Sequence, residues 1–207
     1  MNELLTMPYA ADDVWWPEYA PDEILPGLWQ GGTEDDDVIG CPTPEGHYSR
    51  SHPFDLVVTL FADAQPVPWE VEELRFGFPD SSLTPRAIER AVALSAHAHS
   101  RWQSGARVLV RCQAGVNRSG LVMALTLMRH GLSAADAIGL IRERRGPAAL
   151  SNRHFVRWLV EEAHRHVGAE PSVAASASSS ALPSASSSSS STDPTPDSSS
   201  ISISTAA

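Results

Sequence analysis

Lysine is missing altogether: all 15 basic side chains are arginine, a bias that reads as coding preference more than chemistry. Cysteine is nearly missing too. Two residues, Cys41 and Cys112, cannot build a disulfide framework, which points to a reducing compartment. No run of Cys and His has the spacing of a metal site, so neither a metal nor a cofactor is expected. No stretch approaches the ~18 apolar residues of a spanning helix. The start, Met-Asn-Glu-Leu-Leu-Thr-Met-Pro, lacks the basic and apolar segments of a secretion signal. Together these absences speak against a disulfide-stapled secreted fold and a membrane partner, and a cytoplasmic location is expected. Aromatics run out as well. From Ala169 to Ala207, 17 of 39 residues are Ser and apolar periodicity is absent, so residues 169–207 read as a disordered tail, a solubilising terminus or phosphoacceptor tract.

The net charge of −10 conceals a division. Residues 1–79 carry 16 acids against Arg50 and Arg75, whereas residues 80–168 carry 13 Arg against 6 acids. The basic half is the half that contains Cys112. Such a split fits an anionic substrate drawn to one face, unless folding interleaves the halves.

Residues 1–23 are acidic and Pro-bearing, with Trp15 and Trp16 expected to pack on the surface of a domain spanning 24–168. Ile24 to Gly32 reads as one short strand ending at a glycine pair. Residues 33–53 form a long loop with an acidic run, Glu34 to Asp37. Phe54 to Phe61 is a strand buried on both faces, and Leu74 to Phe78 a shorter one. Thr84-Pro85 starts a helix with Ile88, Ala91, Val92, Ser95 and Trp102 at helical spacing, stopped by Gly105. Ala106 to Arg111 is the central strand. A nearly all-apolar helix from Arg118 to about His130 follows, then one capped by Ser133 and Asp136 and closed by Gly146-Pro147. Asn152 or Ser151 caps the last, with Phe155, Trp158 and Leu159 inward and Gly168 at its end. Strands alternating with helices, then helices alone, describe a small α/β domain whose mainly parallel central sheet is flanked by helices.

The chain is organised around residues 108–120, Val-Leu-Val-Arg-Cys-Gln-Ala-Gly-Val-Asn-Arg-Ser-Gly. A loop between strand and helix brings Cys112 and Arg118 to one cup. Backbone N–H groups of Gln113, Ala114, Gly115, Val116, Asn117 and Arg118 lack intrahelical acceptors, and they converge on an anion placed before the helix. Arg118 adds a planar fork suited to two phosphate oxygens. The same positive field favours a thiolate, which makes Cys112 the candidate nucleophile. Gly115 and Gly120 let the backbone curl close to the anion.

Cys112-x5-Arg118-Ser119-Gly120 resembles the Cys-x5-Arg-Ser/Thr loop of cysteine-based protein phosphatases, and the layout is similar to their dual-specificity and protein-tyrosine branch. Leu-Pro-Gly-Leu-Trp-Gln-Gly-Gly, Phe-Asp-Leu-Val-Val-Thr-Leu and Ser-Asn-Arg-His-Phe-Val-Arg-Trp-Leu extend the likeness over roughly residues 24–165. The resemblance implies a phosphotyrosine-phosphatase-like fold, a phosphorylated protein as partner, and a cysteinyl-phosphate formed on Cys112. It assigns Asp80, 32 positions before Cys112, as general acid, and Ser119 as the hydroxyl that stabilises the departing thiolate. Asp63 is the alternative acid.

Two positions depart from the family pattern. Arg111 stands where the family usually has His, which orients the loop and helps hold the thiolate. Asn117 is similar to the asparagine of RNA 5′-triphosphatases, a branch that typically lacks a separate acid. Nucleic acid is not the expected partner, because the N-terminal half is acidic. An RNA 5′-phosphatase and a non-catalytic phosphoprotein-binding pseudophosphatase stay open beside the protein phosphatase. Arg144 and Arg145 read as a solvated helix end, with a second phosphate as the alternative. Asn152 matches a family asparagine near the site, His97, His99, His164 and His166 read as solvated, and Cys41 as a free loop thiol.

Overall fold

Pro26-Gly27 turns the first segment back on itself, so the single strand expected over Ile24 to Gly32 is instead a hairpin. Its strands are β1 (Asp22–Leu25) and β2 (Leu28–Gly31), paired antiparallel. Gly27 at φ 79° occupies the left-handed position that a Pro-Gly turn requires. The structure, a computed structural model, describes residues 20–33 and 54–168. Trp15, Trp16, the acidic run Glu34 to Asp37, Cys41 and the serine-rich tail lie outside the described residues.

The remaining strands are β3 (Leu56–Thr59), β4 (Glu72–Arg75) and β5 (Val108–Arg111), giving one five-stranded sheet in the order β1-β2-β5-β3-β4. All contacts but β1–β2 are parallel. The β-branched runs of β3 and β5 are buried along their whole length, as strands covered on both faces should be. Leu56, Val58, Val108 and Val110 join the main core with the helices, whereas Val57 and Leu109 meet Phe54 and Val71 on the other side.

Of the five helices among the described residues, the first three follow the sequence signals closely. Helix α1 (Pro85–Gln103) is capped by Thr84, whose hydroxyl accepts from the Ala87 N–H at 3.2 Å. Its buried stripe is Ala87, Ala91, Ser95 and Ala98, so small residues face the core and Ile88 and Val92 sit at its margin. Helix α2 (Arg118–Arg129) is buried without a break from Ser119 to Leu127. Helix α3 (Ala134–Arg145) carries the expected box, Ser133 Oγ donating to Asp136 at 2.6 Å while accepting the Asp136 N–H at 3.1 Å. Asn152 caps α4 (Arg153–Glu161), and the last helix breaks at Glu162 before a short α5 (His164–Val167), where one helix to Gly168 was expected. No described helix is long and apolar enough to cross a membrane.

Candidate active site

Sheet order brings the site together. Strand β5 lies between β2 and β3, so the loop that leaves it, residues 112–117, meets the ends of both neighbours. Strand pleating sends Val110 and Cys112 to the helical side and Leu109 and Arg111 to the other. Cys112 is 2% exposed, at the base of the loop, and its S–H donates to the buried Ser119 hydroxyl at 3.3 Å.

Four consecutive loop carbonyls are taken from outside the loop. Gln113 O accepts the Thr33 N–H at 2.8 Å, and Ala114 O accepts from Arg145 at 3.4 Å. Gly115 O accepts from Gln30 Nε2 at 3.0 Å and Arg145 Nε at 3.1 Å, and Val116 O from the Leu150 N–H at 3.3 Å. No described peptide bond is cis. In a trans peptide the N–H points opposite to the carbonyl, so pinning these carbonyls outward turns the N–H groups of Ala114, Gly115, Val116 and Asn117 inward. None of those four donors has an acceptor among the described residues. Gly115 and Val116 are buried and Ala114 and Asn117 half-buried, and an oxyanion is the group that would satisfy their donors together.

Gly115 is irreplaceable in this geometry. Its φ is 67°, and a Cβ there would lie 2.3 Å from Gly31 C and 2.4 Å from Gly32 N, so the glycine pair at the end of β2 is the wall against which the loop is pressed. Gly120 serves differently from the expectation: a Cβ would strike Leu150 Cγ at 2.9 Å, so its smallness admits a side chain beneath the helix and not an anion. Leu150 itself holds a left-handed φ of 57°, with its carbonyl tied to Arg142 at 3.0 Å.

Arg118 opens α2 and is seated by neighbours. Its Nη1 donates to Leu60 O at 3.3 Å and Phe78 O at 3.4 Å, its Nη2 to Gln113 Oε1 at 3.4 Å, and the Phe61 ring lies 5.5 Å from the guanidinium carbon. Its Nε is buried with no partner among the described residues, a further donor left for an anion.

Asp80 reaches the loop through two asparagines. Asn117 Nδ2 donates to one carboxylate oxygen at 2.9 Å and Asn152 Nδ2 to the other at 2.7 Å. Asn117 Oδ1 in turn accepts from the Asn152 N–H at 2.9 Å and the Ser151 hydroxyl at 3.2 Å. The alternative acid, Asp63, is exposed on the turn after β3 and has no bond to the loop.

Two arginines correct the sequence expectations. Arg145 is 1% exposed, not a solvated helix end: besides the loop carbonyls it donates to Ala20 O at 2.6 Å and Asp22 Oδ2 at 2.7 Å. Arg111 is fully buried and faces away from the thiol, with Nε on Thr59 Oγ1 at 3.0 Å, Nη2 on Gln65 O at 2.6 Å and Glu73 at 3.5 Å. Its charge therefore belongs to a network with Glu73 and Arg75 that fixes the turn after β3, including Phe61 beneath Arg118. Gln30 and Arg145 are the residues that sequence reasoning missed as loop supports. The one signal was polarity in apolar surroundings, since a buried polar side chain must have partners.

A mainly parallel sheet with a Cys-x5-Arg loop at the carboxyl end of its central strand defines a cysteine-based phosphatase fold. Residues 86–165 match the family model described as "Dual specificity phosphatase, catalytic domain". Over 61 residues it is 43% identical to "Protein tyrosine phosphatase PRL-1" of Leishmania major, covering 29% of this chain and 34% of that one. Over 59 residues it is 41% identical to "Dual specificity protein phosphatase 26" of Bos taurus, covering 28% of this chain and 27% of the relative. The chain thus spans about a third or less of the curated relatives it matches. In fold it is similar to human DUSP28, with a TM-score of 0.56 and 24% identity over 77% of this chain and 100% of that one.

Proposed function

We propose that the protein is a phosphoprotein phosphatase that hydrolyses phosphotyrosine, with phosphoserine and phosphothreonine as further substrates, through a cysteinyl-phosphate on Cys112. The observation that carries this is the set of loop carbonyls held outward by Thr33, Gln30, Arg145 and Leu150, which leaves four N–H donors above a buried thiol. As thiolate, Cys112 attacks phosphorus, and the P–S bond forms as the bond to the leaving oxygen breaks. Asp80 gives its proton to that oxygen. The amides of Ala114 to Asn117 and Arg118 Nε hold the non-bridging oxygens and gain strength as charge spreads over them. Water then attacks the phosphorus, Asp80 takes its proton, and the P–S bond breaks while Ser119 donates to the departing sulfur. An intracellular setting accompanies this reading, since the mechanism needs Cys112 reduced.

Asn117 bears on the choice between protein and RNA. Its amide is engaged with Asp80, so this chain keeps a carboxylate at the loop where a triphosphatase needs none. The test is the purified chain on a phosphotyrosine peptide, a phosphoserine peptide and triphosphorylated RNA, each with and without a chelator. Turnover of phosphotyrosine peptide, unaffected by chelator, is expected. Reaction with RNA alone would transfer the site to the nucleic-acid branch, and peptide binding without any turnover would make it a pseudophosphatase.

A further inference from the structure

β4 closes one edge of the sheet, and no described strand pairs with its outer side. There its side chains and the flank of α1 form an open groove of about 370 Å³, with Leu74, Phe76 and Leu94 as its apolar part and Arg86, Arg90 and His97 among its polar part. None of its lining residues is acidic. The amides of Glu72 and Phe76 turn toward β3, bonding Asp55 O at 3.3 Å and Thr59 O at 2.9 Å, so by strand alternation those of Glu73 and Arg75 turn to the open edge.

The charges in this groove are not all alike. Arg75 is committed to Glu73 and to the carbonyls of Ala62, Ala64 and Gln65, and His97 faces Glu72 at 2.7 Å. Arg86 and Arg90, one helical turn apart and exposed, have no carboxylate partner among the described residues. Their guanidinium carbons lie 6.0 and 5.9 Å from the centre of the same ring, Phe76. Two unneutralised cations over one aromatic ring, beside a free strand edge, present an anion site with an apolar floor.

The groove's Phe76 is joined to the 112–117 loop by packing and chain connection. Phe76 stacks on Phe78 at 6.0 Å, Phe78 O accepts from Arg118, and Asp80 follows two residues on. We propose that this groove binds an acidic segment flanking the phosphorylated residue of the substrate, with its carboxylates on Arg86 and Arg90. The proposal rests on the phosphoprotein reading above and adds to it a substrate class: phosphosites with neighbouring Asp or Glu. Neither arginine touches the loop, so chemistry on a small phosphate ester is independent of them.

The test uses the full chain and two phosphotyrosine peptides that differ only in flanking Glu against Gln, with a small aryl phosphate as control. The wild type is expected to favour the acidic peptide by about 5-fold, mainly in KM, with the preference shrinking as salt is raised. In Arg86→Glu/Arg90→Glu the preference reverses, in Arg86→Gln/Arg90→Gln it vanishes, and in both the aryl phosphate rate and the melting temperature stay at wild-type values. Equal kcat/KM for the two peptides would overturn the proposal. So would loss of aryl phosphate turnover in the glutamine variant, which would make the arginines structural. Preference appearing only after Glu34, Asp35, Asp36 and Asp37 are neutralised would mean that the chain's own acidic run occupies the groove. If the wild type hydrolyses nothing, the phosphatase reading fails, while peptide affinities for Cys112→Ser, read by fluorescence anisotropy, still decide the groove.

Discussion

Asn117 is where one side chain joins three parts of the site. It leaves the loop, holds one oxygen of Asp80 and accepts from the backbone ahead of α4. Asn117→Ala should therefore act through Asp80. General acid catalysis contributes roughly 10²–10⁴-fold and matters most for poor leaving groups. We expect Asp80→Asn to lower kcat about 100-fold on a phenolic ester of high pKa and hardly at all on one of low pKa. Asn117→Ala should show the same dependence at about 10-fold, and the double variant should be no worse than Asp80→Asn alone. A loss uniform across leaving groups would place Asn117 outside the proton transfer. Gly115 answers to a different constraint. Gly115→Ala combines a left-handed φ with a Cβ driven into Gly31 and Gly32, and should lower the unfolding free energy by about 2–5 kcal/mol. Urea titration reads this directly, and an unchanged midpoint would contradict the packing described.

Between elements, the connections are polar staples at strand ends. Asp55, just before β3, accepts the backbone N–H of Arg107 at 2.8 Å and its guanidinium at 3.3 Å, just before β5. The backbone hydrogen bond first, then the side-chain bond, hold the Asp55 carboxyl below the usual carboxylate range against a smaller opposing effect of burial. A depressed folded value means that its stabilisation is present above the unfolded pKa of about 3.9 and is lost as pH falls through the folded one. Asp55→Asn should thus be less stable than wild type at pH 7, with the gap narrowing below pH ~4 in denaturant titrations. A gap constant with pH would show that the carboxylate's charge is not involved. Glu72 ties β4 to α1 in a related way, burial raising it but His97 and Arg101 together bringing it below its ordinary value.

Across the whole molecule, what the sequence discloses is what is encoded locally. Thr84-Pro85, Ser133 with Asp136, and Asn152 announce their helices because a cap is satisfied within three or four residues. That Cys112 and Arg118 share one cup is readable from one continuous stretch, whereas the roles of Ser119 and Asp80 enter only through the family likeness. The supports were not. Gln30 and Arg145 lie 85 and 30 positions from Gly115 and meet it because β2 is laid beside β5 and α3 reaches back to β1, an order that no local pattern specifies. Arg111 shows the same limit, since it is next to the nucleophile in sequence but on the opposite face of the sheet. Long-range hydrogen bonds thus shape the cradle that the local motif occupies, and the cradle matters only if phosphate is transferred to the sulfur at its base. Rapid acid quench of the enzyme during turnover of a phosphotyrosine peptide, followed by peptide mapping, tests this: phosphate on Cys112, absent in Cys112→Ser, is the predicted result. Turnover persisting in Cys112→Ser, or phosphate carried on another residue, would contradict it.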